Sequence, residues 1–490
     1  MKKNIVFLLV LVIFVKTHSQ NTLNFCKDNV YHYFPATASE NFTGHFSLPG
    51  LSNINFHISQ NAMTFGDIFQ LADDTPEGKA AALRASKFNK LNMNLNIEAL
   101  GFGFRVKNNY FTFSNRVRAE VYGYLPGDIA NLLIKGYSDI NDYGKKFNGS
   151  VDMQGTVYNE TSLGFQRKIN NIFSIGARVK FLIGHANFNT TASDINFYSE
   201  GESLFFHNNF AIRSSVPFNR EVINNVNIKS LFKNYGAGLD LGFNVALPFG
   251  LEIRTSVLDL GWIRWKNGTY CLDVKHNPNY FGYKNGSIEL QGIDFSGDDF
   301  FNINLPGFAN FYDKDSTIYN GFWSFDGVDS DSLFNSAFIM KNGPEAYTTM
   351  TYPKLCLEAS YNINIHKFAF LAKFDFARKH VYPLFTFGYS INVKKVMDVA
   401  VSYSIAKGYY KNLGFALSFH AGNVFHLYVA TDNILAPIFA THSKKETLGS
   451  TDFYKWKHNL FNIQTGIYFT IPQSNKITNT SLMRTYSSAN

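Results

Sequence analysis

The sequence predicts an all-β fold, a transmembrane antiparallel β-barrel of about fourteen strands with long extracellular loops and short periplasmic turns. Three observations predict it. Apolar and polar residues alternate with period two along many segments long enough, at about 9 to 11 residues, to cross a bilayer. Phe 50, Tyr 27 and Trp 4 make 17% of the 490 residues aromatic while only 17% are charged, a balance that suits rings facing lipid. An export signal precedes the first strand.

Lys2 and Lys3, the apolar run Ile5 to Val15, and Thr17-His18-Ser19 before Gln20 have the order of a cleavable signal peptide over 1–19. Loss of Lys2, Lys3 and Lys16 lowers the formal charge from +8 to +5. The remaining basic residues are dispersed as pairs such as Lys145-Lys146, so no basic stripe offers itself to nucleic acid. No later stretch has the ~18 uninterrupted apolar residues of a membrane helix. With 45% hydrophobic residues and a mean hydropathy of −0.13, the chain is neither disordered nor a helical membrane protein. The three cysteines, Cys26, Cys271 and Cys356, form no metal-binding spacing and are read as unpaired.

The alternation is plain in 111–121, where Phe111, Phe113, Val117 and Val121 oppose Arg116, Arg118 and Glu120. It recurs in 355–365, where Leu355, Leu357 and Tyr361 oppose Glu358, and in 368–376, where Phe368, Phe370 and Phe374 oppose Lys373 and Asp375. The strands expected are 44–57, 91–106, 110–124, 151–167, 172–188, 234–247, 250–263, 353–365, 367–377, 383–393, 396–406, 411–421, 424–432 and 461–471. Short connections mostly alternate with long ones (58–90, 125–150, 189–233, 264–352, 433–460), as periplasmic turns alternate with extracellular loops. Residues 193–214 form either another hairpin or a folded loop, and 128–134 a short loop helix. Equal phase at Val106 and Phe111 pairs Lys107 with Tyr110 across Asn108-Asn109. The shift of the apolar set from Leu91, Met93, Leu95 and Ile97 to Phe102, Phe104 and Val106 marks a bulge around Leu100-Gly101. The resulting division is a lumenal N-terminal segment 20–43 as a hatch, a barrel 44–471 and a tail 472–490.

Ser47-Leu48-Pro49-Gly50-Leu51-Ser52-Asn53, Arg118-Ala119-Glu120-Val121-Tyr122-Gly123-Tyr124-Leu125-Pro126 and Gly176-Ala177-Arg178-Val179-Lys180 with Gly184 carry a family resemblance. Ser256-Val257-Leu258-Asp259-Leu260-Gly261 with Trp265, Tyr352-Pro353, and Thr431-Asp432-Asn433-Ile434 extend it. In their order these strings resemble a Bacteroidetes outer-membrane barrel family of unknown function. That family is similar in layout to hydrophobic-compound transporters of the fatty-acid-uptake type and to barrels serving gliding motility and type IX secretion. The resemblance implies fold and an outer-membrane location, not a mechanism. The chain departs from the usual barrel ending in having no terminal aromatic residue after Ile471.

No hydrolase, nucleotide-binding or dinucleotide motif is present, so no enzyme, metal or cofactor is expected. The acidic clusters 294–299, 313–315 and 326–331 lack calcium-loop spacing and are read as solvated carboxylates. Arg116, Arg118, Glu120, Glu358, Lys373 and Asp375 are lumen-lining candidates that neutralise one another. His420 and His426 are expected to face each other across the turn 422–424; with no carboxylate close in sequence, they are read as hydrogen-bonded wall residues. Two functions follow. One is a passive channel for hydrophobic or amphipathic small molecules, opening toward the bilayer at the bulge. The other is a structural or assembly barrel presenting loop aromatics Phe300, Phe301, Phe308, Phe311, Phe322, Trp323 and Phe325 to an envelope protein partner, or folding them back as a lid.

Overall fold

The computed structural model describes residues 21–26, 29–36, 42–60, 89–128, 146–200, 203–215, 234–279, 283–284, 287–291, 338–378, 380–393, 396–406, 409–422, 424–434 and 460–472. Fourteen antiparallel strands close into a barrel. In chain order the wall is β1 (Phe42–Ser47, resumed as Ile54–Gln60), β2 (Asn89–Val106), β3 (Asn109–Leu125), β4 (Asp152–Lys168), β5 (Phe173–Glu200), β6 (Asn234–Ala246) and β7 (Leu251–Trp265). It continues as β8 (Lys354–Ile363), β9 (His366–Ala377), β10 (His380–Val393), β11 (Met397–Ala406), β12 (Tyr409–Ala421), β13 (Phe425–Thr431) and β14 (Leu460–Pro472). Each strand pairs with its sequence neighbours, and β1 closes the circuit against β14 (Phe46↔Phe469) and β2 (Phe46↔Phe102). Closure removes the free edges that an open sheet this wide would expose.

The two faces are inverted relative to a soluble protein. Val179 is 63% exposed on the outside while the next residue, Lys180, is 5% exposed inside. Outward rings stack across strands, as in Phe102–Phe113 at 5.1 Å, Phe104–Phe111 at 5.5 Å and Phe173–Phe243 at 5.9 Å. The excess of phenylalanine therefore builds the lipid-facing surface, where cross-strand aromatic pairs add to the ladder.

The structure corrects several expectations. The first strand is not continuous: residues 48–53, which include Pro49-Gly50, interrupt it. Gly50 N donates to Glu98 O at 2.9 Å, and Glu98 N donates to Asn53 O at 2.9 Å. The bulge in β2 lies between Glu98 and Leu100, so the break in β1 and the bulge in β2 face each other. The turn after β2 is Lys107-Asn108, with Val106 opposite Asn109 and Lys107 at φ 54. The expected register differs from this one by two residues, and a shift of two leaves every side chain on the same face, so alternation cannot detect it. Of the two readings of 193–214 the hairpin holds, although it adds no strand to the closed wall. The upper part of β5 pairs with Ser203–Ser214, which pairs with Tyr270–His276, and that with Phe338–Gly343, forming a sheet that rises above the barrel at its long-loop end. The expected helix lies outside the described residues beyond Asp128, as do the signal segment 1–19, the acidic clusters of the long loop and all of the tail after Pro472.

Candidate functional site: the lumen

The inner face of β3 to β8 converges on one carboxylate. Asp259 sits at a register break in β7, between Val257 and Leu260, with φ 59. Aspartate tolerates this left-handed conformation better than most residues. The bulge turns its side chain inward, where it accepts from Arg118 Nη1 and Nη2 at 2.7 and 2.8 Å, from Lys180 Nζ at 2.5 Å and from Lys354 Nζ at 2.7 Å. Its own backbone N–H donates to Asp240 Oδ1 at 2.7 Å, and its carbonyl accepts from Thr351 Oγ1 at 2.5 Å. Arg118 also reaches Glu120 and Glu160, each at 2.6 Å, while Lys180 reaches Asp240 at 2.7 Å. Arg178, 3.5 Å from Asp240, completes a balanced set of Arg118, Arg178, Lys180 and Lys354 against Glu120, Glu160, Asp240 and Asp259. Paired and hydrogen-bonded charges of this kind hold together without water, whereas any one left alone would not. The cluster ties β3 directly to β7 and β8, so this arc of the lumen is filled by side chains.

The N-terminal segment docks on the other arc and reaches across to β4 and β5. Asn21 Nδ2 and Thr22 Oγ1 donate to Asp432, both at 2.6 Å, and Thr22 N donates to the same carboxylate at 2.9 Å. Thr22 Oγ1 lies 2.7 Å from Ser402 Oγ, and Ser390 Oγ donates to Phe25 O at 2.7 Å. Farther along, Gln166 Nε2 donates to Ala36 O at 2.8 Å. Leu23, Phe25 and Phe34 are fully buried and belong to one apolar cluster with Leu371, Ala400, Ala416 and Ala430 of the wall. Two wall glycines are required by this docking: a Cβ on Gly388 would stand 2.3 Å from the Phe25 ring, and one on Gly176 2.4 Å from Pro35 O.

Tyr31 of the same segment lies behind the wall break. Its hydroxyl donates to Glu98 Oε1 at 2.8 Å and lies 2.8 Å from Ser47 Oγ, and its ring packs against Tyr428 and Tyr468 at 5.6 and 5.5 Å. Burial, with Glu98 nearby, pushes the Tyr31 phenol well above its usual pKa, so it remains a donor.

The residues singled out in sequence fall as follows. Arg118 and Glu120 belong to the Asp259 cluster. Arg116 pairs with Glu98 at 3.2 Å, and Lys373 with Asp375 at 3.3 Å. Glu358 is held by Arg254 and by Lys367 at 3.0 Å, two cations that the sequence reading passed over. His420 and His426 stand opposite each other with their Nδ1 atoms 2.6 Å apart. A carboxylate is in fact beside them: Asp398 Oδ2 lies 3.0 Å from His420 Nε2, and Thr470 Oγ1 lies 2.7 Å from His426 Nε2. Asp398 comes from the adjacent β11, close in space although 22 residues away in sequence. Phe300, Phe301, Phe308, Phe311, Phe322, Trp323 and Phe325 lie outside the described residues. The three cysteines are free and buried.

Sequence reasoning missed Asp259, Asp240, Glu160, Lys180, Lys354 and Asp432. A signal for Asp259 was present. Outward apolar residues of β7 change from Leu251, Ile253 and Val257 to Leu260 and Trp262, the same phase shift that revealed the bulge in β2.

A cavity of about 50 Å³ lies between Asn29, Val30 and Phe34 of the N-terminal segment and the wall at Tyr110, Gln166 and Arg178. It is far below the roughly 300 Å³ of a small-molecule pocket.

Among solved structures the chain is similar to the P. putida toluene transporter TodX, at 8% identity over 90% of this chain and 93% of that one with a TM-score of 0.37. It is also similar to a Pseudomonas aeruginosa FadL homologue, at 11% identity over 93% and 97% with a TM-score of 0.34. A third is the CymD monoaromatic hydrocarbon channel, at 8% identity over 90% and 91% with a TM-score of 0.35. No curated protein matches the sequence. The model of one protein family, described as a family of unknown function (DUF5723), matches residues 35–432. That match spans most of the barrel, and the chain belongs to this family.

Proposed function

We propose that the protein is an outer-membrane channel for the passive passage of hydrophobic or amphipathic small molecules, closed by residues 21–36 acting as a plug. The observation that carries this reading is the asymmetry of the lumen. The β3–β8 arc holds a balanced ion cluster, while the β9–β13 arc presents to the docked segment the small or apolar groups Leu371, Gly388, Ala400, Gly414, Ala416 and Ala430, interspersed with hydroxyls such as Ser390 and Ser402. Removing the segment would leave a path lined by those groups, suited to an amphipathic solute, and would also uncover the wall break behind Tyr31 as an exit toward the bilayer. The segment is held by hydrogen bonds to Asp432 and Glu98 and by the burial of Leu23, Phe25 and Phe34, and no backbone ladder joins it to the wall among the described residues. The test is uptake of a hydrophobic dye by liposomes containing the full chain or a variant lacking 21–36. Faster uptake by the variant supports the channel, and equal rates at the protein-free level refute it.

A second reading is favoured by the sheet above the barrel, built from β5, Ser203–Ser214, Tyr270–His276 and Phe338–Gly343. It suits a structural or assembly barrel that presents its long-loop end to an envelope protein. Deletion of 290–345 discriminates: loss of a co-purifying partner with uptake unchanged supports the scaffold, and altered uptake without loss of a partner supports the channel.

A further inference from the structure

A second cavity, of about 20 Å³, lies at the long-loop end of the docked segment, where Asn21 and Tyr33 meet the wall residues Asn55, Asn92, Tyr122 and Asp375. Asn55 Oδ1 from β1, Asn92 Oδ1 from β2 and Asp375 Oδ1 from β9 have no hydrogen-bond partner, although their residues are only 1%, 9% and 4% exposed. A buried acceptor without a donor is destabilising. Three of them, brought to one cavity by three strands, are a standing demand for donors.

Three kinds of group could meet that demand, namely a metal cation, an ammonium or a neutral hydroxyl. The wall charges decide among them. Lys354 and Lys373 line the same cavity, Lys373 already compensates Asp375 through Oδ2 at 3.3 Å, and Lys354 is bonded to Asp259 at 2.7 Å. A further cation would face two ammonium groups, and an anion brings no donors. Hydroxyls satisfy the oxygens without adding charge.

We infer that this cavity is a subsite for a neutral hydroxyl-bearing group, of the saccharide or polyol class, at the long-loop mouth of the lumen. At this volume it takes one water-sized hydroxyl, with the remainder of the ring lying outside the cavity. The inference deepens the channel reading and rests on it for the route by which a solute reaches the cavity. It assigns to the transported class an amphipathic molecule with a hydroxylated head.

The test uses the full-length protein in lipid nanodiscs, with protein-free nanodiscs as the blank. Binding of octyl β-D-glucopyranoside below its micellar concentration is compared with that of octyldimethylphosphine oxide, which has the same chain and no hydroxyl. The expected result is binding of the glucoside roughly tenfold tighter, with that advantage lost in N55L/N92L and phosphine oxide binding unchanged. Equal affinity for the two amphiphiles, or an advantage that survives N55L/N92L, would mean that the cavity holds water only and would overturn the inference. If N55L/N92L does not form a barrel, the comparison of the two amphiphiles on the unaltered protein decides alone. Failure here is separable from failure of the channel. Equal binding of the two amphiphiles with faster dye uptake by liposomes containing the 21–36 deletion rejects the hydroxyl subsite only, whereas equal binding with uptake at the protein-free level rejects both.

Discussion

Asp259 and Arg118 meet across the lumen through hydrogen bonds of 2.7 and 2.8 Å, although 141 residues separate them in sequence. Between β3 and β7 the wall passes through three further strands, so the pair draws an arc of the barrel together. Their contact turns part of what would be an open pore into a packed core of charge, and it depends on one aspartate held at φ 59.

Replacing that charge alone is expected to be costly. Asp259→Asn keeps the shape and the tolerance for positive φ but leaves Arg118, Lys180 and Lys354 without their common carboxylate. A loss of about 3–5 kcal/mol is expected, read as a lower urea midpoint for unfolding of the barrel in lipid vesicles.

Gly388→Ala places a methyl group 2.3 Å from the Phe25 ring. Overpacking of this kind costs about 1–3 kcal/mol, and the segment, held by fewer hydrogen bonds than the strand, is the part expected to yield. The variant should show faster proteolysis within residues 21–36 and raised dye uptake, while migration of the unheated barrel in denaturing gels stays as in the parent.

Asp432 accepts from Asn21, from both donors of Thr22 and from Asn462 Nδ2 at 2.6 Å. Asp432→Ala strips the segment of its anchor and leaves those donors to water, so dye uptake should rise toward that of the 21–36 deletion. Thermal stability of the strands should change by far less than in Asp259→Asn.

The wall was legible because its physics is local. Every strand must alternate to face lipid and lumen, so the greasy face of Phe368, Phe370 and Phe374 against Lys373 and Asp375 declares a strand without any tertiary information. Register was less legible, since the Lys107-Asn108 turn and the expected Asn108-Asn109 turn place every side chain on the same face. Lumenal pairings were hardly legible. Arg118 and Glu120 are two residues apart and could be paired by inspection, but Glu358 meets Arg254 across a strand pair, and Asp398 reaches His420 from a neighbouring strand. Such partners depend on barrel circumference and stagger, which the alternation does not encode. The docking of Leu23, Phe25 and Phe34 left only an indirect trace, in glycines at inward positions of β5 and β10 where a packed wall would otherwise carry a side chain.

The central claim, that residues 21–36 close the path and must move for a solute to pass, is tested most directly by locking the segment in place. Thr22 Oγ1 and Ser402 Oγ lie 2.7 Å apart, so Thr22→Cys with Ser402→Cys, in a chain whose three native cysteines are replaced by alanine, joins the segment to β11 by a disulfide. The account predicts that liposomes containing the oxidised protein take up hydrophobic dye no faster than protein-free liposomes, and that a reductant restores uptake to the level of the chain without the two introduced cysteines. Uptake that is unchanged by oxidation would contradict it.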